Sequence, residues 1–263
     1  MFLTVWRWRG ARRLFVGFGF GASWLAAVLV DPAGAQSAAP QSTIVLARLA
    51  AVPDQFVGGE ILREVYARLG ISVEFVDVEA KRALALSSSG QVDGEIQRIA
   101  GISRAYPTLI QISPPINYIE PAVFTTGLTF EVQGWESIKD YDIGIVRGVG
   151  SSEAGTRDMA RVQRATSLAE LIRMLDRSRF DLLVTDLFSG EVEVRRLHLD
   201  ARVRPLLPPI ERIYVYHYLH ERHRDLAVRV EAMLNSMTVD GDLARIREKL
   251  VTQELEKSGQ PSG

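Results

Sequence analysis

Short apolar runs alternate with amphipathic segments along the first part of the chain. Residues 43–49 and 71–76 are apolar and β-branched, which is typical of buried strands. Residues 60–69 have apolar side chains at helical spacing, and Gly70 follows as a typical helix-ending glycine. Residues 50–59, with a proline and a glycine pair, predict a loop. The order strand, helix, strand predicts a parallel crossover unit with its helix on one face of a sheet.

The same alternation continues downstream. Further strands are predicted over 92–96, 142–147, 180–187 and 213–219, and further helices over 79–87, 167–177, 225–237 and 240–250. Ser167 and Glu170 form a capping box at the start of one helix. Residues 118–126 are extended but contain Pro121, which a central strand would not tolerate, so they predict a connector between two lobes. The polar residues 254–263 predict a disordered tail.

The pattern of charged and apolar residues at the N-terminus predicts the cellular compartment of the protein. An apolar run over 14–30 follows four arginines and precedes Ala33-Gly34-Ala35. This order predicts a signal peptide over 1–35, cleaved before Gln36, then a polar linker over 36–42 and a mature protein in the periplasm. The run is just long enough to span a bilayer, so a retained membrane anchor is the alternative. The Arg12-Arg13 pair leaves both the general and the twin-arginine export routes open.

Composition excludes several classes of function. The chain has 263 residues, 47% hydrophobic and 24% charged, with a formal net charge of -1. It therefore has no basic field for nucleic acid, and its length allows one large domain or two lobes. The absence of cysteine excludes disulfides, thiolate catalysis and cysteine–metal sites. No motif predicts a metal, a cofactor or catalytic residues, because His220 and His223 fit a solvated turn and no hydrolase elbow occurs.

Charged side chains follow the predicted strand 92–96. Glu95, Gln97 and Arg98 lie at its end, and Arg104 lies in the loop beyond it. The carboxyl ends of strands in an α/β sheet face the crevice in which such sheets bind ligands. These four residues are therefore candidate ligand-binding residues. The other interpretation is that Arg98 or Arg104 pairs with Glu95 or Asp93 at a solvated edge.

Two further candidates lie in the second half of the chain. Gly148, Val149, Gly150 and Ser151 form a turn that opens a helix, where backbone N–H groups favour an anion. A plain helix-capping turn is the alternative. Asp186 ends an apolar strand and needs a partner, which a ligand ammonium, a helix N-terminus or an arginine would supply.

Several segments in this order resemble a known family. They are Gly90–Gly94, Tyr106-Pro107 with Ser113–Pro115, Trp135–Ile138 before Ile143–Gly148, Phe180-Asp181 with Asp186, and Met237–Gly241. Their order and spacing resemble the periplasmic solute-binding proteins of family 3, the amino-acid-receptor type. The resemblance implies an α/β fold of the two-lobed, type II periplasmic-binding-protein kind, with mainly parallel sheets flanked by helices and two hinge crossings. Lobe 1 would comprise 43–121 and 213–253, and lobe 2 would comprise 122–212.

The resemblance also implies a function. Such a protein closes two lobes around a small polar solute, an amino acid or small carboxylate, for uptake or sensing. Arg104 or Arg98 would hold the ligand carboxylate, the loop 148–151 would face it from lobe 2, and Asp186 would receive the ligand amino group. The chain departs from the family at Val149, where a hydroxyl residue is usual, and in its short first loop, where only Phe56 is available to stack on a ligand. A membrane transporter or sensor is the expected partner class, and a monomer is the expected state.

Two other functions remain open. Some proteins of this fold resemble dehydratases, and Asp93, Glu95 and Arg98 would then form an acid/base site. Alternatively, the chain is a partner-binding module that has lost its ligand. An apolar cleft with Arg98 paired internally would favour that module.

Overall fold

The computed structural model describes residues 42–260, which form two mixed β-sheets with flanking helices. The strands are β1 (Thr43–Leu49), β2 (Ser72–Val78), β3 (Gly94–Ile99), β4 (Leu109–Gln111), β5 (Asn117–Ile119), β6 (Pro121–Thr125), β7 (Ile143–Val146), β8 (Val162–Ala165), β9 (Leu182–Asp186), β10 (Arg204–Leu206) and β11 (Ile213–His220). The helices are α1 (Pro53–Arg68), α2 (Ala80–Ser88), α3 (Gly150–Gly155), α4 (Leu168–Asp176), α5 (Leu187–Arg196), α6 (Arg224–Val239) and α7 (Asp242–Ser258). The predicted α/β fold class is confirmed. The predicted signal peptide and nearly all of the predicted linker lie outside the described residues.

The first sheet has the order β2-β1-β3-β11-β4, and β5 also pairs with β11. The strands β2, β1 and β3 are parallel, as the predicted crossover unit requires. The strand β11 returns antiparallel to β3 from the far end of the chain. This sheet is therefore built from the beginning and the end of the described chain.

The second sheet has the order β10-β6-β9-β7-β8. The chain enters it at Glu120, the single residue between β5 and β6, and leaves it between β10 and β11. Pro121 is the first residue of β6, where its missing N–H does little harm to the ladder. Beside this sheet, the helix α4 begins as predicted, because the Ser167 side chain accepts a hydrogen bond from the Glu170 N–H at 3.3 Å.

The helix α1 begins seven residues earlier than the predicted helix start at residue 60, so most of the predicted loop 50–59 is helical. Pro53 at the first position and Asp54 in the first turn suit a helix N-terminus. The glycine pair is tolerated because α1 packs closely on β3. A Cβ at Gly58 would lie 2.2 Å from the Gln97 Oε1 atom.

The helix α5 follows β9 directly and was not predicted. Its Phe188 and Val192 pack in the core of the first sheet, while Val194 packs in the core of the second. A helix with apolar residues on two faces does not show the single apolar stripe on which sequence patterns depend. One helix thus belongs to both hydrophobic cores.

The predicted disordered tail from residue 254 is wrong for the described residues. The helix α7 continues to Ser258, and both Glu254 and Ser258 are buried. The Glu254 carboxylate accepts a hydrogen bond from the Arg196 guanidinium of α5. The charged residue Glu254 in this segment therefore serves to pair with Arg196 of α5.

Two kinds of site are absent from residues 42–260. No helix in this range is long and apolar enough to cross a membrane. Within the same range, no cluster of histidine, aspartate and glutamate is suited to hold a metal ion.

Candidate functional site

A cavity of about 490 Å³ lies between the two sheets. Its first-sheet side is formed by the start of α1, the end of β3 and the start of α2. Its second-sheet side is formed by the loop before α3, the start of α4 and the junction of β9 with α5. A cavity of this size is typical of small-molecule sites.

Asp54 and Gln97 form the polar end of the first-sheet side. The Gln97 Nε2 atom donates to Asp54 Oδ2 at 2.7 Å and to the Asp54 backbone oxygen at 3.2 Å. Both residues are buried and line the cavity. Gln97 was a predicted site residue, whereas Asp54 was not.

Ser189 joins Asp54 to the predicted site residue Asp186. The Ser189 hydroxyl donates to Asp54 Oδ1 at 3.4 Å, and the Ser189 N–H donates to Asp186 Oδ2 at 2.9 Å. The other Asp186 oxygen accepts from the Glu120 N–H at 2.9 Å, at the crossing between the sheets. Asp186 thus caps α5 and fixes the crossing, while its side chain also lines the cavity.

Burial raises the pKa values of both carboxyl groups, Asp54 and Asp186. Desolvation, and then the charge of Asp186, raise the pKa of Asp54 to about 7. Burial likewise raises the pKa of Asp186, against the backbone hydrogen bonds from Glu120 and Ser189 that lower it. The charge of Asp186 therefore makes ionisation of Asp54 less favourable, and the protonation of the two groups is linked.

Gln55 adds an unused acceptor beside this pair. Its Nε2 atom donates to the Gln97 backbone oxygen at 3.4 Å, but its Oε1 atom has no hydrogen-bond partner in the described structure. The residue is 5% exposed and lines the cavity. Buried polar atoms without a partner are uncommon and often mark a place where a ligand or water binds.

Arg98 lines the cavity, but its guanidinium is already engaged. Its Nε donates to Glu95 Oε2 at 2.8 Å, and its Nη2 donates to the Ala80 backbone oxygen at 3.1 Å. Glu95 is fully buried outside the cavity lining and also accepts from the Ser87 hydroxyl at 2.9 Å. Burial raises the pKa of Glu95, and Arg98 opposes that rise. Arg98 therefore pairs with Glu95, as in the second interpretation, but the pair is buried and does not lie at a solvated edge.

The other predicted cation is placed elsewhere. Arg104 ends a short 3₁₀ turn, is exposed and is outside the cavity lining, because the turn after β3 carries it to the surface. Phe56 is 39% exposed and is also outside the lining. Since α1 begins before it, Phe56 points away from the cavity instead of stacking into it.

Gly148, Val149, Gly150 and Ser151 line the cavity from the second sheet. A Cβ at Gly148, whose φ is +81°, would lie 3.1 Å from the Ala80 Cβ across the cleft. A Cβ at Gly150 would lie 3.5 Å from Ile99 Cδ1. The loop therefore approaches the first sheet closely.

The acid/base cluster considered for a dehydratase is not assembled. Asp93 lies at the opposite end of β3 from the cavity, where its Oδ2 accepts from the Val45 N–H at 2.7 Å. Its Oδ1 accepts from the His223 Nε2 at 2.6 Å and from the Arg222 guanidinium. These contacts lower the pKa of Asp93 although burial opposes them.

A chain of buried hydrogen bonds connects the cavity to α7. The Arg247 Nε donates to Asn117 Oδ1 at 2.7 Å, and Asn117 Nδ2 donates to Gln97 Oε1 at 3.3 Å. Gln97 in turn holds Asp54. The side chain of Gln97 is therefore fixed by both of its polar atoms.

Solved structures share this arrangement of sheets. A 1.05 Å structure of the amino acid ABC transporter substrate-binding protein AbpA from Streptococcus pneumoniae, bound to L-arginine, matches with a TM-score of 0.68 and 13% identity. The match covers 81% of this chain and 96% of that one. The fold is that of the type II periplasmic binding proteins. A histidine kinase sensor domain similar to periplasmic binding proteins also matches, with a TM-score of 0.66, 20% identity and coverage of 80% and 96%.

The chain also has a similar protein at the level of sequence. An uncharacterized protein of Shewanella oneidensis is 23% identical over 194 residues, which cover 72% of this chain and 74% of that protein. No protein-family model matches the chain.

Sequence reasoning missed Asp54, Gln55 and Ser189. The signal for the first two was present, because Pro53-Asp54 is a typical start of a helix and a helix start beside a strand end is a common ligand site. Ser189 carried no such signal, since α5 itself was not predicted.

Proposed function

We propose that this protein is a solute-binding protein that works outside the cytoplasm by closing two lobes around a small polar solute. The observation that carries the proposal is the cavity between the sheets, with Asp54 on one side and Asp186 on the other. The proposed lobes follow the two sheets, with 43–121 and 213–253 in one and 122–212 in the other.

The proposed closing motion follows from the placement of these two carboxylates. A solute that contacts both gains interactions only when the lobes are together, so its binding favours the closed state. The ligands of similar folds support this class of solute, since AbpA is described as bound to L-arginine. Uptake and sensing both fit, because a transporter component and a kinase sensor domain share the fold.

Export to the periplasm, through the signal peptide at 1–35, is part of this proposal. Among the predicted site residues, Gln97, Asp186 and the loop 148–151 are the ones we expect to face the solute. We expect Arg98 to position α2 through its bond to the Ala80 oxygen, and we assign Arg104 no role in binding.

A thermal-shift screen of amino acids, small carboxylates and amines on the purified protein tests the proposal. We expect at least one class to raise the unfolding temperature with a saturable dose response and no product. Small-angle scattering with that compound is expected to show a smaller radius of gyration. If no compound in any class changes either property, solute binding is wrong.

A partner-binding module is the second candidate, because Arg98 is paired internally with Glu95. That pairing removes the cation most suited to anchor a carboxylate. Against the module, the cavity of about 490 Å³ is large enough for a small solute, and Gln55 retains a buried acceptor without a partner in the described structure. If no compound in the thermal-shift screen changes the unfolding temperature, the partner-binding module is favoured.

A further inference from the structure

The polar end of the cavity has acceptors and no matching cation. Asp54 and Asp186 share Ser189, and within residues 42–260 neither forms a direct ion pair with lysine or arginine. Burial has the larger effect on the pKa of Asp186 and raises it, while the charge of Arg247 acts without such a contact and lowers it. Gln55 Oε1 adds a buried acceptor without a partner. A group that donates several hydrogen bonds and carries positive charge, such as an ammonium or guanidinium, would satisfy these acceptors and stabilise the ionised form of the two carboxyls.

The cations that line the cavity are either paired within the protein or exposed to solvent. Arg98 is neutralised by buried Glu95, and Arg196 pairs with Glu254 and Glu193. The remaining cations of the lining, Lys81 and Arg147, are exposed to solvent, where charge pairing contributes little. In an α-amino acid the ammonium and carboxylate share one carbon, so seating the ammonium would bring the carboxylate toward Asp54 and Asp186.

The rest of the lining is mostly apolar. It includes Leu49, Val52, Leu84, Ile99, Val149 and Leu168. Val149 occupies the place where the resembling family usually has a hydroxyl. This surface suits an alkyl or aryl body, whose burial is favourable in proportion to its area.

We propose that the cavity takes organic monocations with an apolar body, amines or guanidines without a carboxylate on the adjoining carbon, in preference to α-amino acids. This inference rests on the proposed solute binding and names its ligand class. The cation lies between Asp54 and Asp186 and also donates to Gln55 Oε1. The apolar body lies against the lining from α2, β3 and α4.

Matched pairs of compounds test the inference by titration calorimetry on the purified protein. The pairs are butylamine with norvaline, pentylamine with norleucine, and phenethylamine with phenylalanine, with hexanoate as an anionic control. We expect each amine to bind at least tenfold more tightly than its amino acid. Lengthening the alkylamine is expected to improve affinity about fourfold per methylene until the cavity is full.

The possible results distinguish a failure of the monocation inference from a failure of the proposed solute binding. A preference below tenfold, or a preference for the amino acids, would overturn the monocation inference and leave solute binding intact. If none of the compounds binds, whatever its charge, both proposals are wrong.

Two variants localise the effect. In Asp54→Asn we expect the best amine to bind at least tenfold more weakly, while Asp140→Asn, an exposed aspartate outside the lining, leaves binding unchanged. If Asp54→Asn does not fold, Gln55→Leu serves instead, because it removes the unpartnered acceptor and one long hydrogen bond to the Gln97 backbone oxygen and leaves both carboxylates in place. Unchanged amine affinity in the folded variant would contradict the proposed position of the cation.

Discussion

At the scale of single residues, Asp54 links the cavity to pH. Its pKa is raised to about 7 in the folded protein from an ordinary value near 3.8, so the folded state keeps a proton that the unfolded state releases between these values. The unfolding free energy of the empty protein therefore falls as pH rises through this window.

We expect the Asp54→Asn variant not to lose stability in this way as pH rises. The difference in unfolding free energy between the variant and the native protein, measured by urea denaturation, should shift in favour of the variant from pH 5 to pH 7, by up to about 1.4 kcal/mol per pH unit. Asp140→Asn, which makes the same chemical change on the surface, should show no such trend. A difference between Asp54→Asn and native protein that does not vary with pH would contradict the raised pKa.

Arg98 provides the second prediction for a single residue. Arg98→Ala leaves the Glu95 carboxylate buried without its cation, so we expect a loss of about 3–5 kcal/mol in urea denaturation. The double variant Arg98→Met with Glu95→Leu removes both charges and should recover most of that stability. Solute affinity in the double variant should stay within about threefold of native. A stable double variant that no longer binds solute would restore Arg98 as a ligand anchor.

At the scale of elements, the contact of α1 with β3 sets the geometry of the cavity. Gly58 lies where a Cβ would be 2.2 Å from Gln97 Oε1, and Gln97 holds both Asp54 and Asn117. In an exposed helix, glycine to alanine stabilises by about 1 kcal/mol. Here we expect the opposite sign, a loss of about 1–3 kcal/mol for Gly58→Ala, because the methyl group displaces Gln97.

Gly127→Ala is the matched control for this substitution. No atom lies within 4 Å of a Cβ built at Gly127, and its stability should stay within about 0.5 kcal/mol of native. Thermal or urea unfolding of both variants measures the contrast. A neutral or stabilising Gly58→Ala would show that α1 and β3 can separate without cost.

Much of the element order was predictable because each sheet is built from short apolar runs separated by amphipathic helices. The start of α1 was not predictable in the same way, since the glycine pair suggests a loop until β3 is seen to require close packing. The helix α5 escaped prediction because its apolar residues face two cores. The strand β3 extends past Arg98, and only the folded register shows that this arginine reaches Glu95.

The same limit applies to the candidate site. Gln97, Asp186 and the loop 148–151 were predicted from their positions at strand ends and a helix start, and the structure places all of them in the cavity lining. Whether they bind a solute stays a prediction. Asp54 was missed because its helix start was interpreted as a loop, and its contacts with Gln97 and Ser189, which are far apart in sequence, are visible only in the folded protein.

At the scale of the whole molecule, α5 has a consequence for how the protein unfolds. Phe188 and Val192 belong to one core and Val194 to the other, so neither core can melt without exposing apolar surface of a helix that the other core also needs. We expect scanning calorimetry of the empty protein to show one cooperative transition, with equal calorimetric and van't Hoff enthalpies.

Val192→Ala is expected to lower the midpoint of that transition without splitting it, since a cavity in one core weakens the shared helix. Two resolved transitions in the native protein would contradict this coupling. We therefore expect that domain boundaries drawn along the two sheets do not mark units of folding. A fragment cut at the crossings would lack half of the surroundings of α5, and we expect it to fold poorly by itself.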